Sequence, residues 1–212
     1  ELALAAEQVA DLLVVGGGIT GAGVALDAAA RGLSVALIEA EDLAFGTSRF
    51  SSKLVHGGLR YLATGDVATA RESALERHLL MTRIAPHLIR PMPQLLPFSP
   101  AVTMRQRAVG AVGFALGDLL RLRAGTPAAV LPGPRPISAR TARRMVPALD
   151  PVGLHGAVLA ADGQLVDDAR LVVAVARTAA AHGARILTRV RALSLHRHGA
   201  HVEDALSGER LE

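Results

Sequence analysis

The chain has 212 residues, half of them hydrophobic and 2% aromatic, with a net charge of +4, enough for one packed domain and a smaller appended one. It has no cysteine, which excludes disulfides, thiolate catalysis and cysteine-bound zinc, and no metal site is expected. Its basic residues lack interleaved aromatics, so no nucleic-acid partner is expected, and no apolar run reaches the roughly 18 residues of a membrane span.

The opening "ELALAAEQVA" lacks both an initiator methionine and the basic flank of a signal peptide, which suggests a chain trimmed at its front. A cytoplasmic location fits the missing cysteine. Leu12 to Val15 is a short apolar run, as a buried parallel strand should be. The alanine-rich stretch from Ile19 to Arg31 predicts a helix stopped by Gly32, and Ser34 to Glu39 a second strand. Together they make a βαβ unit. After a serine- and glycine-rich stretch, Asp66 is placed to cap a helix running to about Ala85, with Ala70, Ala74, Leu75 and Leu79 as its apolar stripe.

Ten of the eleven prolines fall between Pro91 and Pro151, which predicts an inserted cap in place of more regular sheet. Within it, Met104 to Arg123 is helical. It is either an ordinary packed helix or one lying on a membrane surface, with Val109, Val112, Phe114 and Leu116 dipping in. Regular patterning returns with a strand from Gly156 to Ala161, then a helix capped by Asp167 or Asp168 and running through about His182. A strand from Arg185 to Val190 and two turns of antiparallel strand follow. The expected organisation is 10–91 and 156–212 as two parts of one nucleotide-binding domain, with 92–155 inserted.

Three glycines, Gly16, Gly18 and Gly21, stand in the G-x-G-x-x-G spacing directly after a strand, with Ile19 and Thr20 opening the helix. That spacing permits a tight turn, close approach of a pyrophosphate and close helix–strand packing. The helix N-terminus presents free N–H groups to the phosphates. Glu39, followed by Ala40, ends the second strand where a ribose diol is gripped. A carboxylate there repels a 2′-phosphate and argues against NADP, leaving NAD or the ADP half of FAD. The chain then enters a loop carrying Thr47, Ser48, Ser51, Ser52 and Lys53, with Gly57 and Gly58 beyond it. Lys53 is the chain's single lysine among 23 basic side chains. These hydroxyls could bond more phosphate oxygens, with the ammonium as a point charge, in an extended flavin site; the alternative is a plain capped helix.

The run "DLLVVGGGITGAGVALDAAARGLSVALIEAEDLAFGTSRFSSKLVHGGLRYL" resembles the N-terminus of the FAD-dependent glycerol-3-phosphate dehydrogenases of the bacterial respiratory kind. "SSKLVHGGLRYL" is its most distinctive part, and "DGQLVDDARLVVAVARTAAAHGARILTRVRA" resembles the same family further along. The resemblance implies an α/β fold: a Rossmann-like FAD-binding βαβ domain with an inserted proline-rich cap or substrate segment, incomplete relative to the family. It implies oxidation of sn-glycerol 3-phosphate to dihydroxyacetone phosphate, hydride transfer to flavin and electrons passed to quinone. It also implies a homo-oligomer that is peripheral on the inner face of the cell membrane. Carried over by position, Gly16, Gly18 and Gly21 would cradle the pyrophosphate and Glu39 hold the adenosine ribose. Thr47, Ser48, Ser52 and Lys53 would line the pyrophosphate and ribityl chain, Gly57, Gly58 and Leu59 the isoalloxazine, and Val190 would meet adenine through its backbone. Arg60 and Tyr61 would face the substrate, with the Arg60 fork on its phosphate; His56 reads as a packed or flavin-adjacent ring. No residue is singled out as catalytic. A later Ala-Thr-Gly turn, further phosphate-gripping basic residues and a C-terminal domain are absent by residue 212, so this chain is expected to be part of a longer enzyme and inactive alone. The competing readings are a non-catalytic dinucleotide-binding fragment and an FAD-dependent amine or amino-acid oxidase.

Overall fold

Strand β1 (Leu12–Val15), helix α1 (Ile19–Ala30) and strand β2 (Val35–Glu39) form the anticipated crossover, with β1 and β2 parallel from Leu12↔Val35 to Val15↔Ile38. The computed structural model describes residues 9–211; the opening stretch up to residue 8 lies outside the described residues. The chain divides into two units, residues 1–53 with 167–212 and residues 54–166.

In the first unit β2 is the middle strand, flanked by β1 and by β7 (Arg185–Thr188), which pairs parallel from Ala36↔Arg185. All of Val35 to Ile38 is buried, as an inner strand requires. Helix α1 packs beside α6 (Asp168–Ala181) through small residues: Ala22 and Ala44 meet Val172 and Ala176, and Ala25, Ala28 and Ala29 share a core with Leu37 and Ala179. Asp167 caps α6, its Oδ1 accepting from Arg170 N at 3.1 Å, so Asp168 becomes the first helical residue and is free for another partner. The strand expected over 185–190 is broken at Arg189, whose φ is +63°. Val190 therefore opens a separate strand, β8 (Val190–His196), which forms an antiparallel sheet with β9 (Gly199–Asp204) and β10 (Arg210–Leu211).

The second unit is built on β6 (Gly156–Leu165). Strand β4 (Ile89–Pro97) pairs along one edge of it, with β3 (Leu54–Val55) and β5 (Arg135–Ser138) along the other. Two stretches of the proline-rich segment, β4 and β5, thus pair in this second sheet and not in the parallel one, and a helix lies between them. Strand β4 pairs despite its prolines because of an alternation: Pro91, Pro93 and Pro97 occupy odd positions, whereas Leu88 O, Phe98 N and Phe98 O, at even positions, bond towards β6. On an edge strand the odd amides point away from the ladder, so their loss removes no hydrogen bond.

Helices α2 (Leu59–Ala63), α3 (Val67–Leu79), α4 (Met104–Arg123) and α5 (Ala139–Met145) complete this unit. Asp66 caps α3 through Thr69 N at 3.0 Å, and a widened turn over Leu80–Ile84 carries the chain to Ala85. The buried side of α3 is Ala70, Ala74 and Arg77, continued by Met81. Leu75, expected on that stripe, is exposed because it lies about 100° from Ala74 around the helix. A Thr103–Gln106 capping box starts α4, which buries Leu120 and Arg121 and turns Met104, Val109, Val112 and Leu116 outward. Among the described residues no helix is long and apolar enough to cross a membrane.

Candidate cofactor site

The turn between β1 and α1 is closed by hydrogen bonds on both sides. Gly16 N donates to Ile38 O at 2.8 Å, and Ala44 N donates to Gly17 O at 2.9 Å. Gly16 has a φ of +109°, which favours glycine. A Cβ on Gly21 would overlap the carbonyl oxygen of Gly16, so helix and strand meet at a distance only glycine allows. The first intrahelical bond runs from Ala22 N to Gly18 O, which leaves the Thr20 and Gly21 amides without an intrahelical acceptor. Gly21→Ala is therefore expected to lower stability by about 1–3 kcal/mol and to displace the turn. A denaturant titration checks the first effect and FAD titration the second; wild-type values for both would refute the close-packing account.

Glu39 stands at the end of β2 with one oxygen on each flank. Its Oε2 accepts from Gly17 N at 2.7 Å and its Oε1 from Glu41 N at 2.9 Å. Each oxygen keeps a lone pair, so the carboxylate is oriented without being used up and can still receive two ribose hydroxyls. Ala40 follows it, half-buried.

Of the hydroxyl-rich loop, Ser48 is brought to the glycine turn. Its Oγ accepts from Ile19 N at 3.0 Å and would lie 3.1 Å from a Cβ on Gly18. The Ser48 O–H remains free to donate to an anion at the helix start. Thr47 and Ser52 lie exposed on the same loop, and the Arg49 guanidinium sits 4.2 Å from the Phe45 ring centroid and 4.7 Å from that of Phe50.

Lys53 has a partner that the sequence did not reveal. Its Nζ donates to Asp168 Oδ1 at 2.9 Å, while Ser51 donates to Asp168 Oδ2 through both Oγ (2.9 Å) and N (3.1 Å). Ala169 N adds a bond to Oδ1 at 3.1 Å. Lys53 holds a φ of +58°, uncommon for a residue with a side chain, and its amide donates to Ser51 Oγ at 3.0 Å. The Lys53 ammonium first, and the Ser51 bonds after burial's opposing effect, hold the Asp168 carboxyl down at about 2. The loop is thus latched to the start of α6 by a nearly buried carboxylate. Lys53 keeps two further N–H donors.

In the second unit Gly57 and Gly58 are buried, Leu59 is half-buried, and Arg60 and Tyr61 lie on α2. The rings of His56 and Tyr61 are 5.9 Å apart at a tilt of 57°, so His56 packs against its neighbour. Sequence reasoning also missed a buried pair here: Arg77 Nη1 donates to Asp162 Oδ1 at 2.5 Å. The one available signal was an arginine at a spacing that calls for an apolar residue.

Comparison with known proteins adds the family. Residues 11–211 match the model of the FAD dependent oxidoreductase family. The chain belongs to the FAD-dependent oxidoreductases. It is 62% identical over 190 residues to the "Glycerol-3-phosphate dehydrogenase 1" of Mycobacterium tuberculosis, covering 90% of this chain and 37% of that protein. It is 44% identical over 194 residues to the "D-erythritol 1-phosphate dehydrogenase" of Brucella abortus, covering 92% of this chain and 36% of that protein. Among solved structures, the glycerol-3-phosphate dehydrogenase from Bacillus halodurans complexed with FAD aligns with a TM-score of 0.64 at 27% identity, covering 97% of this chain and 32% of that one. The chain thus spans about a third of the length of these relatives. FAD is the cofactor of the FAD-dependent oxidoreductases, and the first unit fits its ADP half. The close-packed Gly16–Gly21 turn, the free first-turn amides and the oriented Glu39 carboxylate match pyrophosphate and ribose in turn.

Proposed function

We propose that the full-length protein oxidises sn-glycerol 3-phosphate at C2 to dihydroxyacetone phosphate and passes the electrons to quinone. The observation that carries this reading is the 62% identity to a glycerol-3-phosphate dehydrogenase, which spans nearly all of this chain. Bound FAD would supply the two-electron acceptor for the C2 hydride.

The chain's own residues bind and orient. The Gly16, Gly18 and Gly21 turn, with the Ile19 and Thr20 backbone, takes the pyrophosphate, and Glu39 with Ala40 takes the adenosine ribose. Thr47, Ser48, Ser52 and the remaining Lys53 donors serve the pyrophosphate and ribityl hydroxyls, and Val190 meets adenine through its backbone. Gly57, Gly58 and Leu59 are assigned to the isoalloxazine. Arg60, exposed and without an ion-pair partner among the described residues, is assigned to the substrate phosphate, with Tyr61 beside it. The proposed further partners are a second copy of the chain and the inner membrane surface, which the outward apolar side of α4, with exposed Arg105 and Arg123 at its ends, suits.

Purified full-length protein is expected to show the flavin absorption bands and to bleach anaerobically on addition of glycerol 3-phosphate. Yellow protein that bleaches only with erythritol 1-phosphate or an amino acid would overturn the substrate, and colourless folded protein would overturn the cofactor role. Lys53→Arg is expected to loosen the flavin, because a planar fork cannot hold both Asp168 and the ribityl side as a compact ammonium can. Unchanged flavin content and turnover in that variant would remove Lys53 from the site.

A further inference from the structure

Arg77 stands on the buried side of α3, in line with Ala70 and Ala74, where helical periodicity calls for an apolar side chain. Both it and Asp162 are almost wholly buried, and Asp162 Oδ1 also accepts from Gly163 N at 2.9 Å. The guanidinium fills the space over Gly57: a Cβ there would collide with Nη1, Cζ and Nη2 of Arg77. Gly58, at a φ of +82°, is confined by the same helix, since a Cβ on it would come within 2.6 Å of the Ala70 Cα and carbonyl oxygen. Gly58 is the N-cap of α2, and Tyr61 N bonds back to its carbonyl at 3.0 Å. The backbone that launches Leu59, Arg60 and Tyr61 is therefore bedded on α3, with Arg77 as the floor beneath Gly57.

Stability alone does not account for a buried charge pair here, because apolar residues of equal volume serve as well or better. The arrangement is also imperfect as a stabilising one. Arg77 Nε is buried without a partner, beside a cavity of about 30 Å³ that Arg77, Gln94, Asp118, Arg121 and Asp162 help to line. What the pair does supply is placement. A long side chain pinned at its far end by Asp162 sets the height of the Gly57 peptide without adding bulk beside it.

We propose that Arg77, held by Asp162, is a positioning residue: it fixes the Gly57–Gly58 turn and thereby aims Arg60 at the substrate's phosphate. This rests on the role proposed above for Arg60. Because the same turn is assigned to the isoalloxazine, the signature of this positioning is an effect on KM that exceeds any effect on kcat.

The test is a double-mutant cycle in the flavin-loaded full-length protein, with Arg77→Lys, Arg60→Met and the pair, read as KM and kcat for glycerol 3-phosphate and as competitive inhibition by inorganic phosphate. Arg77→Lys is expected to raise KM and the phosphate inhibition constant about tenfold, with kcat within about twofold and no further rise when Arg60→Met is present. Without flavin, the Gly58–Leu62 amides of the variant should exchange with solvent about tenfold faster while the β4–β6 amides keep their protection. Should Arg77→Lys fail to fold, Asp162→Asn keeps an acceptor for Arg77 Nη1 and for the Gly163 amide, removes only the charge that pins the guanidinium, and is expected to give the same KM signature. An Arg60→Met that binds phosphate normally overturns the Arg60 assignment and this inference with it. A loss in Arg60→Met that Arg77→Lys does not reproduce, or effects of the two that multiply independently, overturns the inference alone.

Discussion

Asp162→Ala is expected to destabilise the second unit by about 3–5 kcal/mol, enough to unfold a marginally stable domain. The substitution leaves the Arg77 guanidinium buried without its carboxylate, and Nε already lacks a partner. It also strips the Gly163 amide of its acceptor. Both losses fall on β6, the strand on which β3, β4 and β5 all pair, so they fall on the middle of the sheet and not on its rim. The contrast that isolates the cause is the double variant Arg77→Met/Asp162→Leu, which removes both charges and should recover most of the loss. Denaturant midpoints of the two variants decide it. Equal destabilisation of single and double would mean that packing volume is what matters at this place.

Asp168→Asn is expected to release the hydroxyl-rich loop from the start of α6 and weaken FAD binding by about ten- to a hundredfold, the scale seen when a partner that orients a binding group is lost. The amide side chain keeps one acceptor where the carboxylate used two, and it carries no charge for Lys53. Lys53 and Ser51 then both lose the carboxylate that anchors them, and Lys53 is left in its left-handed backbone with that anchor gone. The pH dependence has a definite sign. Asp168 is held at about 2, against 3.8 for an ordinary aspartate, so the stability it contributes is complete above about pH 4 and is lost as the pH falls towards 2. Urea midpoints of wild type and Asp168→Asn should differ at pH 5 and converge near pH 2. A constant difference across that window would show that the carboxylate's charge is not what latches the loop.

The first βαβ crossover was legible in the sequence because every interaction that defines it is local. Gly16, Gly18 and Gly21 lie within six residues, and Glu39 closes the same crossover at the end of the strand that pairs with β1. The cap at Asp66 and that at Asp167, one of two adjacent candidates, were equally local, since each is satisfied within three residues. The strands inside the proline-rich segment were not legible, for a definable reason. Proline counts against a strand only where its amide is needed, and the sequence does not say that β4 lies at an edge. Its spacing did carry the hint, because Pro91, Pro93 and Pro97 share one parity.

The sequence by itself determined the dinucleotide turn, the acidic residue that closes it and the helices with self-contained caps, because those depend on spacing along the chain and on backbone conformations that few residue types adopt. Only the tertiary structure decided where the lone lysine and the buried arginine find their partners. Lys53 meets Asp168 across 115 positions, and Arg77 meets Asp162 across 85. A charge that leaves water must be matched wherever the fold brings an opposite one, and no periodicity in the chain records that distance.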